Sequence, residues 1–291
     1  MNADSTRTAQ LPGAEQQQEF DRWPAGRAVE LLLQFRGAPP GEPTVQALAA
    51  MAGEHGGTLR WAGAGEQVLV GPVQRYDTVA LLHFPTRTAA LGFVRHAGLA
   101  AGFEALQVSV LSPQPRMVRV ISALAAFLAP RLPLDDTPDN SPEPGLGTSI
   151  MPSAAGLAEF HAHPRQDRPV VMLNWLKYRA QASYQPPRAP CSGATAYLRY
   201  GRVALLAVHA LGGKVLYLGR FQQHLVGAGG EPQAGRWDEC VLVQYPSRAT
   251  FHRMTALRRY RRALDHRTAG LAEHGQGLVV TQPEPRFIWA R

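Results

Sequence analysis

The stretch WDECVLVQYPSRATFHRMTALRRYRRALDHRTAGL, Trp237 to Leu271, decides the fold. Glu239 to Pro246 is an apolar run of strand length that ends at a proline. Ser247 stands where a helix N-cap belongs, and apolar positions then recur at helical spacing. The stretch therefore predicts a strand, a sharp corner and one long helix from Ser247 to Leu271. The helix is basic, with Arg253, Arg258, Arg259, Arg261 and Arg262, and it closes on Asp265, His266 and Arg267.

A fainter copy lies earlier in the chain. Phe84-Pro85-Thr86-Arg87 repeats Tyr245-Pro246-Ser247-Arg248, and Asp77 repeats Asp238. Gly56-Gly57 and Val70-Gly71 repeat Gly212-Gly213 and Val226-Gly227, and Phe35-Arg36 has a looser counterpart in Tyr178-Arg179. On this alignment Ala105-Leu106 falls opposite His266-Arg267, and Tyr76 opposite Trp237. Working outward, each half reads β-α-β-β-α-β. In the first half the strands are Val29 to Phe35, Thr58 to Gly71, Thr78 to Phe84 and Leu106 to Leu111. Helices start near Val45 and at Thr86. In the second half the strands are Pro169 to Tyr178, Lys214 to Gly227, Glu239 to Pro246 and Gly277 to Gln282, with helices over Thr195 to Gly213 and Ser247 to Leu271. Each copy is a ferredoxin-like plait. A plait covers one sheet face with helices and leaves the other bare, so the second copy supplies the missing cover. The expected fold is α+β: two tandem plaits packed sheet to sheet within one chain.

The boundaries follow. Residues 1–26 are Gln-, Ala- and Gly-rich without periodicity and read as a disordered tail. The plaits take 27–112 and 168–284, with a connector over 113–167. Within it, Met117, Val120, Ile121, Leu124, Ala125 and Leu128 form a helical stripe across Arg116 to Leu132. A basic amphipathic helix can lie on a membrane, but packing against its own protein is the expectation here. Asp135 to Gly147 reads as a flexible linker. Pro152-Ser153 opens a short helix that runs to about His161.

Composition narrows the function. The chain has 291 residues and a net charge of +8, with Lys177 and Lys214 its only lysines. A basic surface favours anionic partners. Cys191 and Cys240 form no CxxC, and the N-terminus has no signal-peptide pattern. No apolar run is long enough to span a membrane, so a cytoplasmic location is expected. His161-Ala162-His163 is a lone HxH, with no metal-site spacing around it. There is no P-loop, dinucleotide fingerprint or GxSxG elbow, and Gly227 to Gly230 reads as a turn. No nucleic-acid motif accompanies the basic helix. The expectation is therefore no cofactor, no metal and no nucleic acid.

The second half resembles the family catalogued as domain of unknown function 1330. The resemblance is carried by VVMLNWLKYR (Val170 to Arg179), AYLRYG (Ala196 to Gly201), Gly212-Gly213, Leu225 to Gly227, Trp237 to Met254 and the DHRTAGL run. The first half looks like a degenerate copy. The resemblance implies the dimeric α+β barrel. Proteins of that architecture include cofactor-independent and haem-degrading monooxygenases, lactone isomerases and small-ligand binders. Fold alone does not choose among these.

The candidate site starts from what the second copy holds and the first lacks, Trp237 and the His266-Arg267 pair. Histidine is the side chain type best placed to titrate near neutrality, which suits His266 to acid/base work or an anion contact, and Arg267 suits an anion. Asn174 interrupts an apolar strand, and a buried amide needs partners. These three are the candidate catalytic residues; Trp237, Asp238 and Tyr200 are the candidate ligand-binding residues. The expected function is that of a small-molecule binder, or a cofactor-independent monooxygenase- or isomerase-like enzyme, with one pocket in the second plait. A small, anionic molecule is the expected partner, and the chain is expected to be a monomeric pseudo-dimer or a higher homo-oligomer. Two alternatives stand beside it. One is a non-catalytic interaction module using the connector helix. The other is a haem protein, because Asn174 with His266 resembles part of the Asn-Trp-His set of haem-degrading monooxygenases; Met254 stands near the Trp position.

Overall fold

Strand pairing closes the chain on itself. In the computed structural model, which describes residues 12, 14–37, 41–96, 98–99, 105–113, 115–131, 148–226 and 237–288, eight strands form a closed barrel in the order β1-β3-β2-β8-β5-β7-β6-β4. They are β1 (Val29–Arg36), β2 (Thr58–Val70), β3 (Thr78–Phe84), β4 (Ala105–Leu111), β5 (Val170–Tyr178), β6 (Lys214–Val226), β7 (Glu239–Tyr245) and β8 (Leu271–Pro283). Each half contributes one four-stranded sheet, and the seams are the antiparallel pairs β2–β8 and β4–β6. The expected α+β barrel is the observed fold.

Side-chain alternation follows from the pleat. On β5, Val171, Leu173 and Trp175 point into the barrel with Leu32, Trp61, Leu81 and Leu242 from both halves. Val170 and Met172 point outward, into the core beneath the second half's helices. Leu31, Leu33 and Phe35 of β1 do the same in the first half.

The helices are α1 (Ala14–Asp21), α2 (Glu42–Glu54), α3 (Arg87–Val94), α4 (Arg116–Leu128), α5 (Ala154–Ala162), α6 (Gly193–Ala210), α7 (Arg248–Ala256) and α8 (Arg258–Gly270). The Thr86 and Ser247 caps form as expected, their hydroxyls accepting from Ala89 and Thr250 N–H. Four expectations need correction.

First, part of the 1–26 tail is structured. α1 buries Phe20 completely, because Arg87 Nη1 donates to the Phe20, Asp21 and Trp23 carbonyls and ties the segment to α3. Residues 1–11 and 13 lie outside the described residues, as do the 132–147 linker and the Gly227–Gly230 turn.

Second, the long helix is broken at Leu257, which is extended (φ −66°, ψ 129°). Leu257 is buried with Met254 and Tyr260, so the break turns both half-helices toward the sheet. No Gly or Pro marks it in the sequence.

Third, β8 begins at Leu271, straight after α8, and not at Gly277. Its pairing with β5 slips between Leu176 and Tyr178, a bulge with His274 in the left-handed region (φ 53°).

Fourth, the apolar stripe of α4 does not pack inward. Ala125 is its one buried residue, while Met117, Val120, Ile121, Leu124, Phe127 and Leu128 are exposed.

The register also sharpens the repeat. Phe35 pairs with Thr78 as Leu176 pairs with Glu239, so Phe35-Arg36 matches Leu176-Lys177 and not Tyr178-Arg179. Leu106 pairs with Phe35 as Gln276 pairs with Leu176. The counterpart of Leu106 is therefore Gln276, not Arg267.

Candidate functional site

On the helix side of the second sheet lies a cavity of about 960 Å³. Its floor is the outward face of β5, β7 and β8: Met172, Asn174, Val241, Val243, Gln276 and Leu278. Its walls come from α6, α7 and α8, and its rim from α4 and α5. Register places Leu31, Leu33, Ala80, Leu82, Leu106 and Val108 at the equivalent floor positions of the first half. All six are apolar and buried. Asn174 and Gln276 thus replace two aliphatic residues, and the second copy alone has a polar floor.

That polarity is organised as a chain. Asn174 Nδ2 donates to the Met172 carbonyl at 3.0 Å, and Asn174 Oδ1 accepts from Gln276 Nε2 at 3.0 Å. Gln276 Oε1 accepts from Arg267 Nη2 at 3.3 Å. Arg267 also donates to the Ile150 carbonyl and lies against the Met151 sulfur. Among the described residues none of these partners is a carboxylate. A guanidinium buried without a counter-charge is costly. Local geometry fixes its direction: Tyr260, Leu264 and Arg267 are spaced i, i+4, i+7 on α8 and all three line the cavity. Tight packing at the helix ends holds α8 against α6. A Cβ on Gly270 would come within 2.6 Å of the Gly193 carbonyl oxygen, and one on Gly193 within 2.5 Å of the Gly270 oxygen.

Two further polar pairs line the cavity. Tyr178 OH donates to Glu239 Oε2 at 2.6 Å. Burial, more than the Tyr178 hydrogen bond that opposes it, holds the Glu239 carboxyl above its ordinary range. Burial and then Glu239 itself push the Tyr178 phenol up. Tyr200 and Tyr260 share a 2.8 Å hydroxyl contact. At the rim, the His161 and His252 rings meet edge to face at 4.5 Å, and burial followed by His252 holds His161 below its ordinary value.

Of the residues expected from sequence, Arg267, Asn174 and Tyr200 line this cavity. His266, about 100° around the helix from Arg267, points elsewhere: its Nδ1 bonds Tyr184 OH at 2.8 Å. Trp237 is buried in the barrel interior, stacked on Trp175 at 6.2 Å. Asp238 is structural. Its carboxylate accepts from Tyr178 N–H at 2.7 Å and Lys177 Nζ at 2.8 Å, just as Asp77 accepts from Gly37 N–H at 3.1 Å. Asn174 and His266 therefore do not meet in one site. Sequence reasoning missed Gln276, Glu239 and Tyr178; the signal that could have found them is the two-residue alternation that puts Tyr178 on the face of Asn174, Glu239 on that of Val241 and Gln276 on that of Leu278.

No family model matches the chain, and none of the curated proteins does. Among solved structures, the RPA0582 protein of unknown function from Rhodopseudomonas palustris is 34% identical, the match covering 46% of this chain and 95% of that one with a TM-score of 0.41. Its methylated form matches at 34% identity over 48% and 98%, with a TM-score of 0.42. By that identity, the chain belongs to the family of the RPA0582 protein. A mutant chlorite dismutase from Candidatus Nitrospira defluvii is 13% identical over 90% of this chain and 93% of that one, with a TM-score of 0.44.

Proposed function

We propose that the second plait binds a small organic anion with a large apolar body, and that the first plait is its structural mate. The chain acts as a monomeric pseudo-dimer of the domain of unknown function 1330 type, working in the cytoplasm. The observation that carries the reading is the Arg267 guanidinium, buried at the wall of a mostly apolar cavity with no carboxylate partner among the described residues. An anionic head group supplies the missing charge, with Gln276 and Asn174 fixing its orientation and Tyr200 close by on the wall. The test is mass spectrometry of molecules carried through purification, followed by calorimetric titration with straight-chain carboxylates. Arg267→Met should weaken binding roughly ten- to a hundredfold, the value of a lost charge-assisted hydrogen bond. Equal binding by wild type and variant would remove the proposal.

The Tyr178–Glu239 pair favours a second reading, in which the bound molecule reacts. A carboxyl that burial holds above its ordinary range, hydrogen-bonded to a phenol, is a group of the kind an isomerase uses to move a proton. Glu239→Gln would then keep binding and lose turnover. In the haem alternative, His161 and His252 are the imidazoles that line the cavity; a haemin titration with no Soret shift excludes it.

A further inference from the structure

We infer that α4 is a membrane-docking helix that lies in the headgroup layer of an anionic bilayer. Its solvent face carries Met117, Val120, Ile121, Leu124, Phe127 and Leu128, which are 69, 66, 46, 55, 59 and 38% exposed. They are spaced i, i+3, i+4, i+7, i+10 and i+11, so they form one continuous stripe. Apolar side chains scattered singly over a surface need no explanation, but six on one helix face do. Leu198 of α6, 55% exposed, extends the patch across the neighbouring helix.

Charge selects the occupant. α4 has no acidic residue, and Arg116, Arg119 and Arg131, at its start, on its first turn and just past its end, are all exposed. Arg199 and Arg202 are exposed on α6 beside Leu198. Each basic side chain near the surface of an acidic membrane adds attraction, whereas two copies of the same face would bring like charges together. Asp135, Asp136, Asp139 and Glu143 follow in sequence outside the described residues, so the charge argument rests on α4, Arg131 and α6. An apolar helix face flanked by arginines matches an anionic lipid surface.

The helix is also continuous with the cavity. Met117, Val118 and Ile121 form part of its rim. Docking through α4 would turn that rim toward the bilayer. On the proposed function above, the ligand would then be an amphipathic anion drawn from the membrane.

The experiment is vesicle co-sedimentation of the full chain, with phosphatidylcholine vesicles containing 30 mol% phosphatidylglycerol and with phosphatidylcholine alone. We expect binding to the anionic vesicles at least tenfold tighter than to the neutral ones, falling as salt is raised. Leu124→Glu/Phe127→Glu should reduce it at least tenfold while circular dichroism and thermal midpoint stay unchanged, because both side chains are exposed. Arg116→Gln/Arg119→Gln should reduce the preference for anionic lipid alone. No vesicle binding by the wild type, or full binding by Leu124→Glu/Phe127→Glu, overturns the inference. So does a wild-type dimer that the same substitutions convert to monomer without any vesicle binding, since a second copy would then occupy the face. Arg267→Met should bind vesicles like wild type, which separates this inference from the reading of the cavity.

Discussion

At the residue scale, two substitutions distinguish the plaits. Leu33 and Leu106 of the first half become Asn174 and Gln276 in the second, and Gln276 is what links Asn174 to Arg267. Gln276→Leu, which restores the first half's residue, should leave the thermal midpoint close to wild type. It removes a buried amide in exchange for a side chain the fold already accepts at that register. Ligand retention should fall at least tenfold, measured by the same titration. A second residue reports on pH. His224 is buried, with Ser109 Oγ 2.9 Å and Gln107 Nε2 3.1 Å from its Nδ1, and burial pushes its imidazole from 6.5 down to about 4. A value lowered in the folded state means that the folded protein binds fewer protons there than the unfolded chain. The contribution to stability is therefore complete above about pH 6.5 and is lost as pH falls toward 4, by on the order of 3 kcal/mol at most. Buried Glu30 and Glu239, both raised, act in the opposite sense: they destabilise as pH rises above the ordinary carboxyl range. The difference between urea melts of wild type and His224→Gln isolates the histidine. Parallel curves from pH 7 to 4.5 would show that His224 does not carry it.

At the element scale, the repeated unit is longer than β-α-β-β-α-β. Glu19-Phe20 of α1 and Glu159-Phe160 of α5 occupy the same place before each plait, and both phenylalanines are fully buried. Arg87 reaches the carbonyls at the end of α1, and Arg248 stacks over the Phe160 ring at 5.0 Å. Their backbones agree: Arg87 N–H donates to Ala25 and Arg248 N–H to Gln166. Phe20→Ala should therefore cost about 3–5 kcal/mol in urea denaturation, where a residue in a disordered tail would cost under about 0.5 kcal/mol. The break at Leu257 belongs to this scale as well. With a continuous helix, Met254 and Tyr260 could not both face the sheet at their present angles. The aromatic and aliphatic cover of the cavity therefore depends on an extended residue that nothing in the local sequence announces.

At the scale of the whole molecule, the halves hold each other by reciprocal contacts. Gln223 of β6 donates to the Gln16 carbonyl of α1 at 2.8 Å, and Gln67 of β2 donates to the Gly156 carbonyl of α5 at 2.9 Å. Each leading helix thus reaches a strand of the opposite plait. Neither plait alone can satisfy its edge strand or cover its inner sheet face. Residues 1–134 and 148–291, produced separately, should aggregate; produced together, they should copurify one to one. Stable monomeric halves in analytical ultracentrifugation would contradict this. No helix among the described residues is long and apolar enough to cross a membrane.

The repeat, the β-α-β-β-α-β order of each half and the need of the two sheets for each other were legible in the chain because they rest on local patterns. Apolar runs, paired glycines and Pro-Ser or Pro-Thr corners constrain the backbone wherever they occur. Arg267, Asn174 and Tyr200 were legible as polar or phenolic groups in an apolar frame. The sequence could not say which of three adjacent helix residues faces inward. That depends on the rotation of α8, which the Leu257 break and the Gly193–Gly270 contact set. Nor could it distinguish Trp237 and Asp238, which serve the barrel, from residues of a site. Gln276 lay hidden because β8 starts at Leu271, before its apolar run, and pairing with β5, not β8's own residues, extends the strand that far. Which side chains share the cavity is a property of contacts between distant segments, and only the closed barrel decides it.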